Sequence, residues 1–411
     1  MAILKIKNVG ALQSVELDLK RVNVFIGAQA SGKSTIAKII SQILWAEKNF
    51  LTTGDDKFDF YKGLISFHNF DRSYFVNSKE KKSEIVYESD FSKIMVKYVD
   101  GKLFPKTEFK KKEQKKDDIL YQNVKVSYIP AERNFVSTIK NIQKYAETYN
   151  SSVAFLNDWI SIKPQYKNRT HFSIDLPDLK LEYRYKENEN RDILIDKTGV
   201  QIDLQCSSSG QQAILPLLLV AKEMLVDVYN NDKIFSPIEL EHIKRVAPDF
   251  ANILPLLSQI GRKSRTKKID KEIEKLWQKL GYDGAYGLTH LIIEEPEQNL
   301  YPSTQRGLVE QLLFWAQNKH TLTLTTHSPF ILYALDNCML AGTIKDKEAE
   351  IEKLGLAGKT ILPQEVGIWL VKEGKITSLQ DDKEFLLKEN LFDAEFRESH
   401  ERMFQLLALK K

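Results

Sequence analysis

Gly27-Ala28-Gln29-Ala30-Ser31-Gly32-Lys33-Ser34 is the stretch that decides the fold of this chain. It has the Gly-x4-Gly-Lys-Ser form of a loop that cradles phosphates, and its surroundings fit that form. Val22-Asn-Val-Phe-Ile26 before it reads as a short buried strand, and Thr35-Ile-Ala-Lys-Ile-Ile-Ser-Gln-Ile-Leu44 after it has apolar residues at helical spacing. A strand, a glycine loop and a helix in this order aim backbone N–H groups and the positive end of the helix at one anion. Gly27 and Gly32 permit the torsions that this requires. The motif assigns Lys33 to the β- and γ-phosphates and Ser34 to a Mg2+ ion, with Ala28, Gln29, Ala30, Ser31 and Thr35 completing the cradle.

Composition bounds the rest. A chain of 411 residues, 42% apolar and 28% charged, can bury a full core as one large domain with insertions or as two domains. Its longest apolar stretch, Ala213 to Ala221, is too short to span a bilayer and contains Pro216, so no membrane is expected as a partner. Met1 to Lys7 alternates like a strand and lacks the apolar core of a signal peptide, which places the chain in the cytoplasm. Cys206 and Cys338 make neither a disulfide framework nor a zinc cluster. The net charge of +4 gives no strong argument for nucleic acid as a partner. Two basic runs, 106–116 and 262–268, read as solvated loops rather than as phosphate contacts.

The first twenty residues predict two strands around a turn near Gly10, a small antiparallel layer ahead of the phosphate loop. Residues 50–118 predict a strand-rich lobe with exposed edges, and Val124 to Ile129 a strand stopped by Pro130. The pattern is helical from about 135 to 160 and alternates from 170 to 205. Residues 210–230 predict one strongly apolar helix, and 236–285 an added helical element. Past 345 the expectation is a strand over Gly367 to Val371, a Glu373-Gly374 turn, another strand and a final helix from about 393. The division that follows is 1–135, the first part of the core with its strand-rich lobe; 136–205, a helical then β insertion; 206–230, a loop and helix; 231–285, a helical insertion; 286–345, the second part of the core; and 346–411, an αβ extension.

Two further strands carry chemistry. Thr289-His-Leu-Ile-Ile-Glu-Glu-Pro-Glu297 puts consecutive acids at a strand end, one for a metal ion and one to polarise an attacking water. Glu294 is assigned to the metal and Glu295 to the water. Thr321-Leu-Thr-Leu-Thr-Thr-His-Ser-Pro329 follows after enough residues for one right-handed crossover, and ends in His327. Polar groups at adjacent strand ends are where an open α/β sheet places its ligand, so His327 is expected to bond the γ-phosphate or the water. Ser207-Ser-Ser-Gly-Gln-Gln212 opens the long apolar helix. Its hydroxyls suit an N-cap and its free N–H groups suit an anion, and the residues alone leave both readings open.

In their order, Gly27 to Ser34, Ser207 to Gln211, Leu291 to Glu297 and Thr326-His-Ser-Pro329 resemble the ATP-binding cassette (ABC) class of ATPases. Tyr128-Ile-Pro-Ala-Glu-Arg133 and Glu-Glu-Pro-Glu-x-x-Leu-x-Pro at Glu294 to Pro302 are similar to the soluble branch with the overcoming-lysogenization-defect (OLD) ATPases, related to RecF-like and SMC-like repair proteins and to bacterial anti-phage systems. The resemblance implies an α/β fold, an ABC-type P-loop ATPase head: a mixed central sheet with flanking helices, an antiparallel β layer and helical insertions. It implies ATP and Mg2+ as cofactors and hydrolysis to ADP and phosphate. It also assigns Ser208, Ser209, Gly210 and Gln211 to the γ-phosphate held by Lys33 of a second copy, so that two ATPs are sandwiched in a homodimer or a higher even-numbered homo-oligomer.

The chain departs from the pattern at three places. Glu294 stands where transport cassettes have Asp, Tyr301 where the branch often has His, and Ala131-Glu132 where a glutamine usually follows the strand, which leaves Glu132 or Arg133 to replace it. After the His327 strand there is no Glu followed by an Asp-x-Asp pair, and no His-Asn-His pattern of a nuclease. The expected function is therefore the sensor or regulatory ATPase of a bacterial anti-phage complex with a separately encoded nuclease or toxin. The alternatives are a RecF-like repair ATPase that binds DNA and, last, the ATPase subunit of an ABC transporter.

Overall fold

The computed structural model describes residues 2–76, 82–99, 105–113, 121–139, 150–167, 170–230, 275, 283–317, 319–344, 346–388 and 391–409. The helical insertion expected over 231–285 and the basic run at 262–268 lie outside the described residues, apart from 275 and 283–285.

The phosphate-loop strand sets the frame. Its five residues, Val22–Ile26, are all buried, as a strand covered on both faces must be. In chain order the strands are β1 (Ala2–Val9), β2 (Leu12–Leu19), β3 (Val22–Ile26), β4 (Lys82–Glu88), β5 (Ser92–Val99), β6 (Lys106–Lys111), β7 (Gln122–Ile129), β8 (Phe172–Leu176), β9 (Leu179–Lys186), β10 (Arg191–Asp196), β11 (Gln201–Asp203), β12 (Asp283–Glu294), β13 (Thr321–Thr326), β14 (Val366–Lys372) and β15 (Lys375–Ser378). Eleven of them form one mixed sheet in the order β6-β5-β4-β1-β2-β15-β14-β3-β13-β12-β7. From β14 to β7 neighbouring strands are parallel, and β6, β5, β4, β1 and β2 pair antiparallel. The expected antiparallel layer is thus continuous with the central sheet, joined where Lys375 of β15 pairs with Ser14 of β2.

Helix α1 (Lys33–Thr53) leaves the phosphate loop and buries Ile36, Ile39, Ile40 and Ile43 at the spacing that its sequence shows. It ends where Gly54, at φ +70°, donates its N–H to Phe50 O. The isoleucines join Leu4, Ile6 and Phe25 in a core on the antiparallel side. Helix α2 (Phe60–His68) packs beside α1, so the lobe expected to be strand-rich begins helical and becomes β only from Lys82. The basic run at 106–116 begins as edge strand β6 rather than as a loop.

A larger core covers the other side of the parallel strands. Helix α3 (Ser151–Ile162) contributes Trp159, whose ring lies 5.9 Å from Tyr183 in a second, four-stranded sheet of order β11-β10-β9-β8. Helix α4 (Ser209–Lys222) follows, with nine consecutive buried residues from Ala213 to Ala221. A π turn over Glu223–Asp227 continues it, so the apolar helix expected over 210–230 is interrupted. Helices α5 (Pro302–Ala316) and α6 (Pro329–Thr343) flank β13 in sequence, and helix α7 (Leu391–Ala408) closes the chain.

Candidate functional site

Parallel register decides which residues meet. Thr326 of β13 pairs with Ile26 of β3, and Glu294 of β12 with Thr325 of β13. The phosphate loop, the acids and His327 therefore leave three adjacent strands at the same sheet edge.

In the loop, Gly27 has φ +155°, and a Cβ on it would stand 2.3 Å from Val371 O of β14. Only glycine lets the C-terminal strand back the loop this closely. Lys33 Nζ donates to Gly27 O at 2.9 Å and to Ala28 O at 2.7 Å, curling over the loop. Burial lowers its pKa, opposed by the charges of Glu295 and Glu297. Ser34 is exposed at the mouth, as are Ala28, Gln29 and Ala30, while Thr35 is buried beneath. Ser31 Oγ is buried without a hydrogen-bond partner.

At the end of β12 the Glu294 carboxylate is buried, and its Oε1 has no partner. Glu295 then turns out of the strand with φ +44°, its N–H given to Thr325 O at 2.9 Å. This brings Glu295 Oε1 within 3.4 Å of His327 Nε2. The unpartnered oxygens of Glu294 and Ser31, beside the exposed Ser34 hydroxyl and the Lys33 ammonium, fit Mg2+ and a polyphosphate by chemistry: hard oxygen ligands and one cation.

Two residues do structural work that the sequence reading did not assign. Glu297 Oε1 accepts the His327 backbone N–H at 2.7 Å and so fixes the histidine loop; burial raises its pKa. Its place as the third acid of Glu-Glu-Pro-Glu was the available signal. Arg133, fully buried after β7, spends all five N–H groups of its guanidinium on backbone carbonyls: Glu294 O and Glu295 O at 2.8 Å each, Ala213 O of α4 at 3.2 Å, and Pro130 O and Pro296 O at 3.4 Å each. Burial lowers its pKa to about 10, against the charges of Glu297, Glu295, Glu294 and Glu132. The expectation that Arg133 replaces the missing glutamine is corrected by this geometry, because no donor is left to face a water. Glu132 is exposed beside it.

The serine loop lies apart from the phosphate loop. Ser208 caps α4 in a reciprocal box with Gln211: Ser208 N–H donates to Gln211 Oε1 at 3.1 Å, and Gln211 N–H to Ser208 Oγ at 3.4 Å. Ser208 and Ser209 are exposed, and Gly210 rests on the backbone of Asn299, where a Cβ would meet Asn299 O at 2.6 Å. The start of α4 is tied to the end of β7 by Arg133 and by Ser137 Oγ, which donates to Gln212 O at 2.9 Å. β7 and β3 are three strand spacings apart, about 14 Å.

The family of this architecture is now identifiable. Residues 22–332, about three quarters of the chain, match the family described as "AAA domain, putative AbiEii toxin, Type IV TA system". The chain belongs to this AAA family. It has the mixed α/β fold of a P-loop ATPase with the loop at its Gly27 turn. No curated protein matches. Among solved structures it is similar to the SMC head domain of Thermotoga maritima, with 8% identity over 92% of this chain and 98% of that one and a TM-score of 0.38. The Smc head domain with an extended coiled coil from Pyrococcus furiosus gives 10% identity over 98% and 100%, with a TM-score of 0.39. The recombination mediator protein RecF gives 14% identity over 92% and 97%, with a TM-score of 0.34. These likenesses add nothing to the family assignment. Among the described residues no helix is long and apolar enough to cross a membrane.

Proposed function

We propose that this chain binds and hydrolyses ATP and closes into a homodimer, or a higher even-numbered homo-oligomer, around the nucleotide. In this reading it is the sensor or regulatory subunit of a bacterial anti-phage complex with a separately encoded nuclease or toxin. The family description, which names a toxin and a toxin–antitoxin system, supports a two-component arrangement.

The observation that carries the dimer is a separation. The start of α4 is tied through Arg133 to the end of β7, and β7 stands three strand spacings, about 14 Å, from β3, whose end carries the phosphate loop. The Ser209 and Gly210 N–H groups of α4, which the Ser208–Gln211 capping box leaves out, favour an anion, and Ser208 and Gln211 frame them. The anion they serve belongs to a second copy.

ATP with Mg2+, when bound, supplies the phosphoryl group and the metal charge that polarises it. Lys33 exchanges the carbonyls of Gly27 and Ala28 for phosphate oxygens. Ser34 and Glu294 hold the metal. Glu295 accepts the proton of the attacking water, and His327, fixed by Glu297, orients that carboxylate. Mixing a Lys33→Ala chain with a Ser208→Arg chain leaves one composite site intact, so ATPase activity inactive in either alone returns in the mixture. Absence of any rescue sinks the shared site.

A second reading, a RecF-like DNA-binding ATPase, is favoured by edge strand β6, which carries Lys106, Lys110 and Lys111 along the open side of the sheet. Duplex DNA binding that weakens steeply with salt supports it; binding to a neighbouring gene's product that is insensitive to salt supports the first.

A further inference from the structure

Behind the acid assigned to the metal lies a buried polar pair with no role so far. Tyr128 of β7 is in register with Ile292 of the parallel β12, so its side chain shares a sheet face with Ile292 and, two residues on, Glu294. Ala37 of α1 packs on Tyr128 and Ile292, which identifies this as the face under the helix that begins at Lys33 and Ser34. The Tyr128 hydroxyl and Glu294 Oε1 are both buried, and neither has a formed hydrogen bond. Yet the diagonal from Tyr128 to Glu294 across the two adjacent strands is within reach of an aromatic and a long side chain on one face. A phenol can donate and an ionised carboxylate can only accept, so the two are complementary and each is costly to leave unmade. From the other side the ring of His68, at the end of α2, stands edge-on to the Tyr128 ring with centroids 4.8 Å apart, which limits where the phenol can swing. A residue needed only to fill this space requires no hydroxyl.

We propose that Tyr128 is a positioning residue: its hydroxyl donates to the Glu294 carboxylate and fixes which oxygen turns toward Ser34 and the metal. This rests on the reading of Glu294 as a Mg2+ ligand. Partners of metal ligands of this kind change metal affinity by about ten- to a hundredfold when removed.

The test uses the full chain and Tyr128→Phe, which deletes one oxygen and keeps the ring. Melting temperature is followed with ATP in EDTA and then across a Mg2+ titration, with Glu294→Gln and Ile292→Val in parallel. Tyr128→Phe is expected to keep the stabilisation by ATP alone and to need about tenfold more Mg2+ for the metal-dependent increment. In turnover the same variant recovers at high Mg2+. Ile292→Val trims the same cluster without touching the hydroxyl and keeps the wild-type Mg2+ midpoint. Equal Mg2+ midpoints for Tyr128→Phe and wild type overturn the proposal, as do equal shifts in Tyr128→Phe and Ile292→Val. If the wild type shows no metal-dependent increment, or Glu294→Gln keeps it whole, the metal reading of Glu294 fails and this one falls with it.

Discussion

Replacing Arg133 tests whether the acid-bearing turn is built or merely adjacent. Arg133→Met keeps side-chain length and removes every donor. Five carbonyls then lose the guanidinium: Glu294, Glu295 and Ala213 at 2.8, 2.8 and 3.2 Å and, at the longer 3.4 Å, Pro130 and Pro296, with Glu295 O keeping the Gln298 N–H at 3.1 Å. Each unmade buried bond costs about 1–3 kcal/mol. Releasing a guanidinium whose own burial is unfavourable offsets part of that sum, since its pKa is held down to about 10. A net loss of about 3–5 kcal/mol follows. With an unfolding entropy of roughly 2.1 cal/mol/K per residue, a chain of 411 residues changes by about 0.9 kcal/mol per degree, so the melting temperature falls by about 4–6 °C. Arg133→Lys keeps the charge but not the planar fork, and is expected to fall between the two. Scanning calorimetry on the three proteins reads the order directly. If Arg133→Met melts within 1 °C of wild type, roughly, the guanidinium is not what holds the turn, and the reasoning fails.

Glu295→Gln keeps the shape of the turn and removes the base, so ATP binds, hydrolysis nearly stops and a nucleotide-bound dimer accumulates in size-exclusion chromatography; unchanged hydrolysis refutes the assignment. Gly27→Ala drives a Cβ into Val371 O, and is expected to cost about 1–3 kcal/mol and to abolish ATP-dependent stabilisation in a thermal shift. Glu295 occupies left-handed backbone at φ +44°, so Glu295→Gly should melt above Glu295→Ala by an amount worth about 1 kcal/mol, the reverse of the usual order. His68 is buried with no hydrogen bond to either ring nitrogen, and burial lowers its pKa to about 3 from 6.5. The unfolded chain therefore binds the extra proton first, and the stability present above pH 6.5 is lost as pH falls toward 3. Between pH 7 and 5 this is about 2 kcal/mol, and His68→Leu should flatten the acid limb of the melting-temperature profile by about 2 °C.

Local pattern carried the parts of the site that are local. The phosphate loop, the apolar strand before Glu294 and the strand before His327 were legible because fully buried parallel strands read as apolar runs, and polar residues mark where they end. The order of strands was not legible. Nothing within Val366 to Lys372 says that β14 lies beside β3 and backs Gly27, since pairing at a separation of more than 300 residues leaves no periodic trace. Helix α2 was hidden because Phe60 to His68 is rich in aromatics, which favour strands until packing against α1 decides otherwise. Arg133 was placed at the wrong task for a related reason. A charged side chain beside Glu132 reads as a group facing solvent or ligand, and only the fold reveals five carbonyls converging on it.

That convergence bears on how one chain serves two sites. The acids after β12 act on nucleotide held by the same chain, and the N-terminus of α4 faces nucleotide held by the other, in the reading proposed above. The two half-sites are held in a fixed relation by one side chain, because the guanidinium that holds Glu294 O and Glu295 O also holds Ala213 O, four residues into the helix from Ser209. Gly210 adds a second tie through the backbone of Asn299, at the far end of the same turn. In that reading, a shift of the turn on phosphate loss would reach α4 as a rigid displacement, since neither a planar fork at 2.8 Å nor a glycine pressed on a carbonyl leaves slack. In that proposed reading, hydrolysis in one site would loosen the grip on the other, the coupling that a two-nucleotide dimer needs in order to open as a unit.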